Sequence, residues 1–260
     1  MTHLPRFQPV LCAALTALLP LPAALTAETV LVDNFADGNV RSADTMPNFW
    51  DITLPAGNPD SQAVENRGAL NLRAATWPHT YAGLVSLAMD DFGFFKRPLT
   101  VTLEDITLEA KGIPDGDARF KISLTSTQDR AEKADDAISI RIRKGLLLLG
   151  YRVDGFDANT SPENLSGQRA NSVLVQELDG TPAKLSLTLG PSQNPGVIRY
   201  EIRAEGNGIN LTRSGLIPLT LEQWGGLDAA SLVIDARRDN PAAQAGTHTD
   251  FSVGRITVTR

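Results

Sequence analysis

Apolar and polar residues alternate along most of this chain, and no other feature of the sequence restricts its fold as strongly. In one such run, Phe120, Ile122 and Leu124 are separated by a lysine and a serine. The same pattern recurs at residues 70–74, 138–143, 185–189 and 198–203. Because successive side chains of a β-strand point to opposite faces, each run predicts a strand with one face in a core and the other in water. No long helical pattern interrupts these runs, so the sequence predicts an all-β, two-sheet antiparallel jelly-roll sandwich.

Two dipeptides predict tight turns between such strands. Lys144-Gly145 lies between two apolar runs, and Asn207-Gly208 lies between two more. Asn-Gly favours a two-residue hairpin because both central residues of that turn take positive φ. Residues 146–149 are apolar without alternation, which predicts a strand covered on both faces.

The alternation changes phase once within a single run. Apolar residues occupy odd positions over residues 99–103 and even positions over residues 106–110. A strand that keeps both sets on one face must bulge or bend at the intervening Glu104-Asp105.

Similar acidic segments stand near the two ends of the predicted domain. The segment DNFADGN at residues 33–39 follows the first apolar run after the leader, and Asp250-Phe251 precedes the last one. This arrangement predicts that the first and last strands pair and close one sheet.

Pairing of the ends would bring carboxylates together. Asp33, Asp37 and Asp250 are the candidate ligands, and the predicted ion is a structural Ca²⁺, which prefers carboxylate and carbonyl oxygens. No other cofactor is predicted.

The first 27 residues have the pattern of a secretory signal peptide. Arg6 provides a short basic region, an apolar stretch broken by prolines follows, and Ala27 supplies the small residue before cleavage. The stretch is too short for a membrane span, which needs about 20 apolar residues. We therefore expect a leader at 1–27, one β-sandwich domain at 28–260, and a secreted or periplasmic location. The single cysteine, Cys12, lies in the leader, so the mature chain has no disulfide and no thiolate.

The overall charge is acidic. The formal net charge is −6, and loss of Arg6 with the leader would make it −7. Nucleic acids and anionic membranes require clustered Lys and Arg, so the sum disfavours both as partners. The oligomeric state is not predicted.

Several short motifs resemble a known family. They are DNFADG at 33–38, NFW at 48–50, ENRGALNL at 65–72 and DFSVGRITV at 250–258. In these segments the chain resembles secreted bacterial domains of the concanavalin A-like lectin/glucanase superfamily, including laminin G-like jelly rolls. The resemblance implies a two-sheet jelly roll and carbohydrate binding, and it implies that some members are glycan hydrolases or polysaccharide lyases.

The enzymatic motifs of that family are incomplete here. Laminarinase-like members use Glu-x-Asp-x-x-Glu on one strand; Glu177 and Asp179 begin this pattern, but Pro182 stands at its last position. The Gln-Ile-His motif of alginate-lyase-like members is missing. The sequence therefore predicts no catalytic residue.

Aromatic residues supply the candidate ligand-binding site. Trp77, His79 and Tyr81 flank a proline, and Trp224 precedes two glycines. Flat aromatic rings stack on the apolar faces of sugars. The alternative is that these rings pack in the core at strand edges. The leading prediction is a non-catalytic module that recognises a glycan or cell-surface polymer. The alternatives are a hydrolase or lyase of the same fold and a structural or assembly module without a small ligand.

Overall fold

The computed structural model describes residues 27–55, 60–75, 81–113, 118–129, 136–143, 145–153, 170–238 and 246–260. These residues form β-strands and one short 3₁₀ helix, Asp90–Phe92. In chain order the strands are β1 (Thr29–Asp33), β2 (Trp50–Thr53), β3 (Gln62–Glu65), β4 (Leu70–Ala75), β5 (Tyr81–Ser86), β6 (Leu99–Glu104), β7 (Thr107–Lys111), β8 (Ala118–Thr125), β9 (Ala137–Arg143), β10 (Leu146–Arg152), β11 (Ala170–Glu177), β12 (Lys184–Pro191), β13 (Ile198–Gly206), β14 (Ile209–Ile217), β15 (Ser231–Arg238), β16 (His248–Val253) and β17 (Arg255–Thr259).

The strands pair antiparallel in three sheets. A six-stranded sheet has the order β1-β17-β6-β12-β13-β14, a seven-stranded sheet the order β11-β10-β9-β8-β15-β5-β2, and a four-stranded sheet the order β3-β4-β16-β7. The predicted all-β antiparallel sandwich is therefore confirmed.

The first and last strands meet as predicted. In the β1–β17 pair, Leu31 lies opposite Val258 and Asp33 lies opposite Ile256. This pairing places both ends of the described chain in the six-stranded sheet.

Two strand pairs that follow each other directly along the chain, β6–β7 and β16–β17, connect the six-stranded and four-stranded sheets. Each connection bends where the chain passes from one sheet into the other. Asp105 separates β6 from β7 and has φ of 58°, and Gly254 separates β16 from β17. A Cβ atom on Gly254 would lie 2.9 Å from Oδ2 of Asp105, so the two bends pack closely against each other and a larger residue would have to displace the Asp105 side chain. The bend predicted at residues 104–105 is thus confirmed, and it keeps Leu103 and Ile106 both buried.

One buried apolar cluster lies between the layers. It contains inward-facing residues of all three sheets, among them Leu187 of the six-stranded sheet. Phe120 of the seven-stranded sheet stacks on Phe251 of the four-stranded sheet, with ring centroids 4.5 Å apart. Each fully buried side chain of this size stabilises the fold by about 1.5–3 kcal/mol relative to exposure.

The predicted hairpins are also present. Asn207 and Gly208 both have positive φ, 55° and 84°, as a tight turn between β13 and β14 requires. Gly145 has φ of 80° between β9 and β10. Residues 147–149 are buried, which confirms the prediction that this strand is covered on both faces.

Among the described residues, no helix is long and apolar enough to cross a membrane. The predicted signal peptide, apart from its last residue, lies outside the described residues.

Candidate functional site

Strand β8 is buried on both faces although only one of them contacts the core. Phe120, Ile122 and Leu124 belong to the apolar cluster. The intervening Arg119 and Lys121 point to the opposite face and are only 2% and 3% exposed. We call this opposite side of the seven-stranded sheet the outer face. Two cations buried there need a physical explanation, because charged groups lose hydration on burial.

Strand pairing arranges the charged residues of the outer face in two rows. In the first row, Tyr81 of β5 lies beside Arg237 of β15, and Arg119 of β8 lies between Arg237 and Arg143 of β9. Neighbouring strands are about 4.8 Å apart, so the row crosses the sheet at right angles to the strands.

The second row lies two residues further along each strand. It places Gly83, Asp235, Lys121 and Arg141 side by side on β5, β15, β8 and β9. We refer to the five cations of the two rows as the basic face; they are Arg119, Lys121, Arg141, Arg143 and Arg237.

A buried carboxylate lies within the basic face. Asp235 is 0% exposed. Its Oδ1 accepts a hydrogen bond of 2.7 Å from Nε of Arg237, and its Oδ2 lies 3.5 Å from Nζ of Lys121. Hydrogen bonds between ionised groups are shorter and stronger than neutral ones, so Asp235 holds Arg237 in place and attracts Lys121 as an ion pair.

Gly83 leaves room for this carboxylate. A Cβ atom at Gly83 would lie 2.7 Å from the carbonyl oxygen of Ile234 and 2.9 Å from Cβ of Asp235. Any side chain there would push β15 away from β5 and displace Asp235.

Tyr81 forms the end of the first row. The residue is half-buried, and the guanidinium carbon of Arg237 lies 6.0 Å from the centroid of its ring. A cation at this distance is attracted to the ring face. The structure therefore places one of the sequence-predicted binding residues at the edge of the basic face. Trp77 and His79, predicted with it, lie outside the described residues.

Polar side chains on the outer face continue past the second row. Ser123 and Ser139 lie opposite each other on β8 and β9, and their hydroxyl oxygens are 2.7 Å apart. Sequence reasoning missed this set of residues, although the polar positions within the apolar runs at 119–123 and 139–143 were a signal for it.

Trp224, the fourth predicted binding residue, is part of the core. It is 1% exposed, its indole N–H donates to the carbonyl oxygen of Ala229 at 2.9 Å, and its ring meets Phe94 edge to face. A capping box fixes its backbone, because Thr220 and Gln223 exchange side-chain hydrogen bonds just before it. The prediction that Trp224 offers a ring face to a ligand is therefore corrected.

The predicted ion ligands do not converge. Asp250 lies on the outward face of β16, where it pairs with Arg73 at 2.9 Å and His248 at 3.1 Å. Asp33 instead points inward and accepts a 2.8 Å hydrogen bond from the indole of Trp50. Strand pairing brought the ends together as predicted, but the two carboxylates lie in different sheets and face opposite ways.

Asp37 has different neighbours from those predicted. It lies close to Asp33 and to Glu65 of β3. No group of three or more His, Cys, Asp or Glu side chains among the described residues is arranged to hold a metal ion. Calcium binding stays a prediction from the sequence.

This acidic corner binds protons unusually tightly. Burial raises the pKa of Asp33 to about 6, partly opposed by the hydrogen bonds from Phe35 and Trp50. Burial likewise raises the pKa of Glu65 to about 7, and the neighbouring Asp37 adds to the effect. Low dielectric surroundings favour the neutral acid in both cases.

Two carboxylates of the outer face, Glu177 and Asp235, are far apart. Glu177 ends β11 and lies in the first row, two strands beyond Arg143. Four strand spacings separate β11 from the β15 strand of Asp235, or about 19 Å along the sheet. Glycosidases place their two carboxyls roughly 5–9.5 Å apart, so these two residues cannot serve as such a pair.

Comparison with known proteins supports the fold. No protein-family model matches this chain. No curated protein sequence matches it. An endo-acting O-glycanase of the human gut microbiota superposes on 89% of this chain and 98% of its own, with a TM-score of 0.52 and 12% identity. An endo-1,3-β-glucanase from Streptomyces sioyaensis superposes on 93% of this chain and 98% of its own, with a TM-score of 0.54 and 11% identity.

The resemblance predicted from the sequence is thus confirmed for the fold. The chain has the same two-sheet jelly-roll fold as these two proteins.

Proposed function

We propose that this protein is exported, recognises a glycan on the outer face of its seven-stranded sheet, and does not cleave it. The observation that carries the proposal is the ordered array of charged side chains on that face, beside the half-buried ring of Tyr81. A sandwich needs no such array for stability, because its core is apolar and lies on the other side of the sheet. Clustered and buried ionisable groups are typical of functional sites.

The chemistry of the face suits a sugar. A ring such as that of Tyr81 covers the apolar C–H surface of a pyranose. Polar groups at the edge of the array, such as the half-buried Arg141 and Arg143, can bond the hydroxyls or substituents around it. The glycan-active proteins that share this fold, an O-glycanase and a glucanase, agree with this choice of ligand class.

Recognition without cleavage is favoured by the positions of the carboxylates. Asp235 is hydrogen-bonded to Arg237 and forms an ion pair with Lys121, and Glu177 is about 19 Å away along the sheet. This separation is outside the range in which glycosidases hold their two carboxyls.

A binding assay with three variants tests the proposal. We expect the wild type to be retained on an array of immobilised polysaccharides and to release no reducing sugar. Tyr81→Phe keeps the ring and should bind as the wild type does, whereas Tyr81→Ala should bind about tenfold more weakly, as expected for loss of an aromatic contact of about 1–1.5 kcal/mol.

The matched control is Arg203→Ala. Arg203 is exposed on the six-stranded sheet and pairs with Glu201, so its loss should leave binding unchanged. Release of reducing sugar by the wild type, or equal binding by Tyr81→Ala, would contradict the proposal.

A further inference from the structure

We infer that the outward face of the four-stranded sheet carries a separate binding site for an uncharged saccharide. This face contains a groove with a volume of about 370 Å³, within the range of roughly 300–1,000 Å³ that is typical of small-molecule sites. We call it the small-sheet groove. Its floor is formed by the central strands β4 and β16, and its sides by the edge strands β3 and β7.

The small-sheet groove is distinct from the site proposed beside Tyr81. Phe251 of β16 and Phe120 of β8 both point into the core, where their rings stack. The outward faces of the four-stranded and seven-stranded sheets therefore lie on opposite sides of the sandwich, and ligands on them are bound independently.

Strand pairing arranges the outward side chains of the groove in two rows that cross the sheet. The charged row, in the order β3, β4, β16, β7, consists of Gln62, Arg73, Asp250 and Glu109. The neutral row, two residues further along each strand, consists of Val64, Asn71, Ser252 and Thr107. Neighbouring side chains within a row start from strands about 4.8 Å apart, so an extended ligand lying across the strands contacts several of them.

The charges of the groove are balanced. Nε of Arg73 donates a hydrogen bond of 2.9 Å to Oδ1 of Asp250, and Glu109 forms an ion pair with Lys111. An anion in the groove would meet Asp250 and Glu109, and a cation would meet Arg73 and Lys111. Because like charges brought together across an interface are costly, this arrangement favours a ligand without charge.

The charged row nevertheless offers strong donors and acceptors in fixed positions. Asp250 is held from two sides, since its Oδ2 lies 3.1 Å from Nε2 of His248. Among the described residues, Arg73 donates only through Nε, so both of its terminal amino groups are available to a ligand. A sugar hydroxyl donates and accepts at once, and a guanidinium fork beside a carboxylate satisfies both functions for neighbouring hydroxyls.

The neutral row supplies the remaining contacts that a saccharide needs. Within the part of the chain that the structure describes, the hydroxyls of Ser252 and Thr107 have no hydrogen-bond partner. Asn71 donates to the carbonyl oxygen of Ala69 at 3.0 Å through its amide nitrogen and keeps its amide oxygen for a ligand. Val64, at the end of the row, is 43% exposed and presents apolar surface to the C–H groups of a sugar ring.

The test is calorimetric titration with hexasaccharides of equal length and different charge. Laminarihexaose, cellohexaose, mannohexaose and xylohexaose are uncharged, hexagalacturonate is anionic, and the glucosamine hexamer is cationic. We expect at least one uncharged hexasaccharide to bind about tenfold or more tightly than either charged hexamer, because the groove repels both signs of charge. Equal or tighter binding of a charged hexamer would overturn the inference of an uncharged ligand.

Two variants locate the binding. Ser252→Val places a branched side chain in the middle of the groove, and valine is favoured in strands, so the fold is kept. Arg73→Lys keeps the positive charge beside Asp250 and removes the planar fork. Each variant should bind the uncharged hexasaccharide about tenfold or more weakly, with a melting temperature close to that of the wild type.

The matched controls lie on the six-stranded sheet. Ser214→Val introduces the same side chain at an exposed position of β14. Arg203→Lys makes the same change at an arginine whose Nε also donates to a carboxylate, that of Glu201, at 2.7 Å. Both controls should bind as the wild type does.

Tyr81→Ala separates this inference from the proposed function. Binding of the uncharged hexasaccharide should survive in Tyr81→Ala and be lost in Ser252→Val. Loss in Tyr81→Ala with unchanged binding in Ser252→Val would overturn the second site and leave the proposed function standing. If no uncharged hexasaccharide bound to the wild type, the second site would be refuted, whereas Tyr81-dependent retention on immobilised polysaccharides would still support the proposed function.

Discussion

The ammonium group of Lys121 lies 3.5 Å from a carboxylate oxygen of Asp235, and both side chains are buried on the face of their sheet that points away from the core. The residues sit directly opposite each other on β8 and β15. Ion pairs are seldom buried in a sandwich for stability, because the loss of hydration offsets most of the attraction.

The first prediction concerns the stability of this pair. Asp235→Asn should destabilise the fold by about 3–5 kcal/mol, because the buried Lys121 would lose its ion pair and the half-buried Arg237 its charged hydrogen bond. Replacing both members of the pair, with Lys121→Met and Asp235→Leu, should cost less than Asp235→Asn alone. Urea unfolding measures both differences. A single variant as stable as the wild type would show that this carboxylate does not balance the two cations.

The second prediction concerns Trp224. Trp224→Ala should lower the free energy of unfolding by about 3–5 kcal/mol, since the ring is buried against Phe94. Binding by the folded fraction should not change, because the residue has no exposed face. A stable Trp224→Ala variant with weakened glycan binding would restore the role predicted from the sequence.

The third prediction concerns pH. The carboxyl groups of Asp33 and Glu65 have pKa values of about 6 and about 7 in the folded protein, above the ordinary values of 3.8 and 4.5. The folded state therefore binds protons more tightly than the unfolded state, and the corresponding stability is fully present below about pH 4 and is lost as the pH rises through 6 to 7.

Variants isolate this contribution. As the pH is raised from 4.5 to 7.5, the wild type should lose stability relative to Asp33→Asn, because the amide cannot ionise. The melting temperatures of the two proteins report this change. For this buried group the corresponding change in the free energy of unfolding is on the order of 2 kcal/mol. Glu65→Gln should behave in the same direction. The control is Glu205→Gln at an exposed position of β13. If the difference in melting temperature between Asp33→Asn and the wild type stayed the same at every pH, the raised pKa of Asp33 would be refuted.

Much of the framework was predictable because it depends on short-range patterns. Alternation fixes which side chains share a face of a strand, and Asn207-Gly208 fixes a turn through the positive φ that both residues adopt. The bend at Asp105 followed from a phase slip within a dozen residues, since only a bend keeps both apolar sets inward. The pairing of β1 with β17 was inferred from the resemblance of the two ends.

The candidate site depended on contacts between distant parts of the chain. Lys121 and Asp235 are far apart in sequence and meet only because β8 and β15 are neighbours in one particular register. The net charge of −6 is a sum over the whole chain and carries no information about such neighbours. For this reason the basic face was not predicted from the acidic sum, which disfavoured only nucleic acid and anionic membranes as partners.

The sequence by itself thus determined the strands, their inward and outward faces, and the turns between them, because these follow from the local geometry of the backbone. Only the tertiary structure decided which outward faces become neighbours. It separated Asp33 from Asp250, buried Trp224, and gathered five cations around Asp235. The physical reason is that register and sheet order are set by the packing of a shared apolar core, to which strands more than a hundred residues apart contribute together.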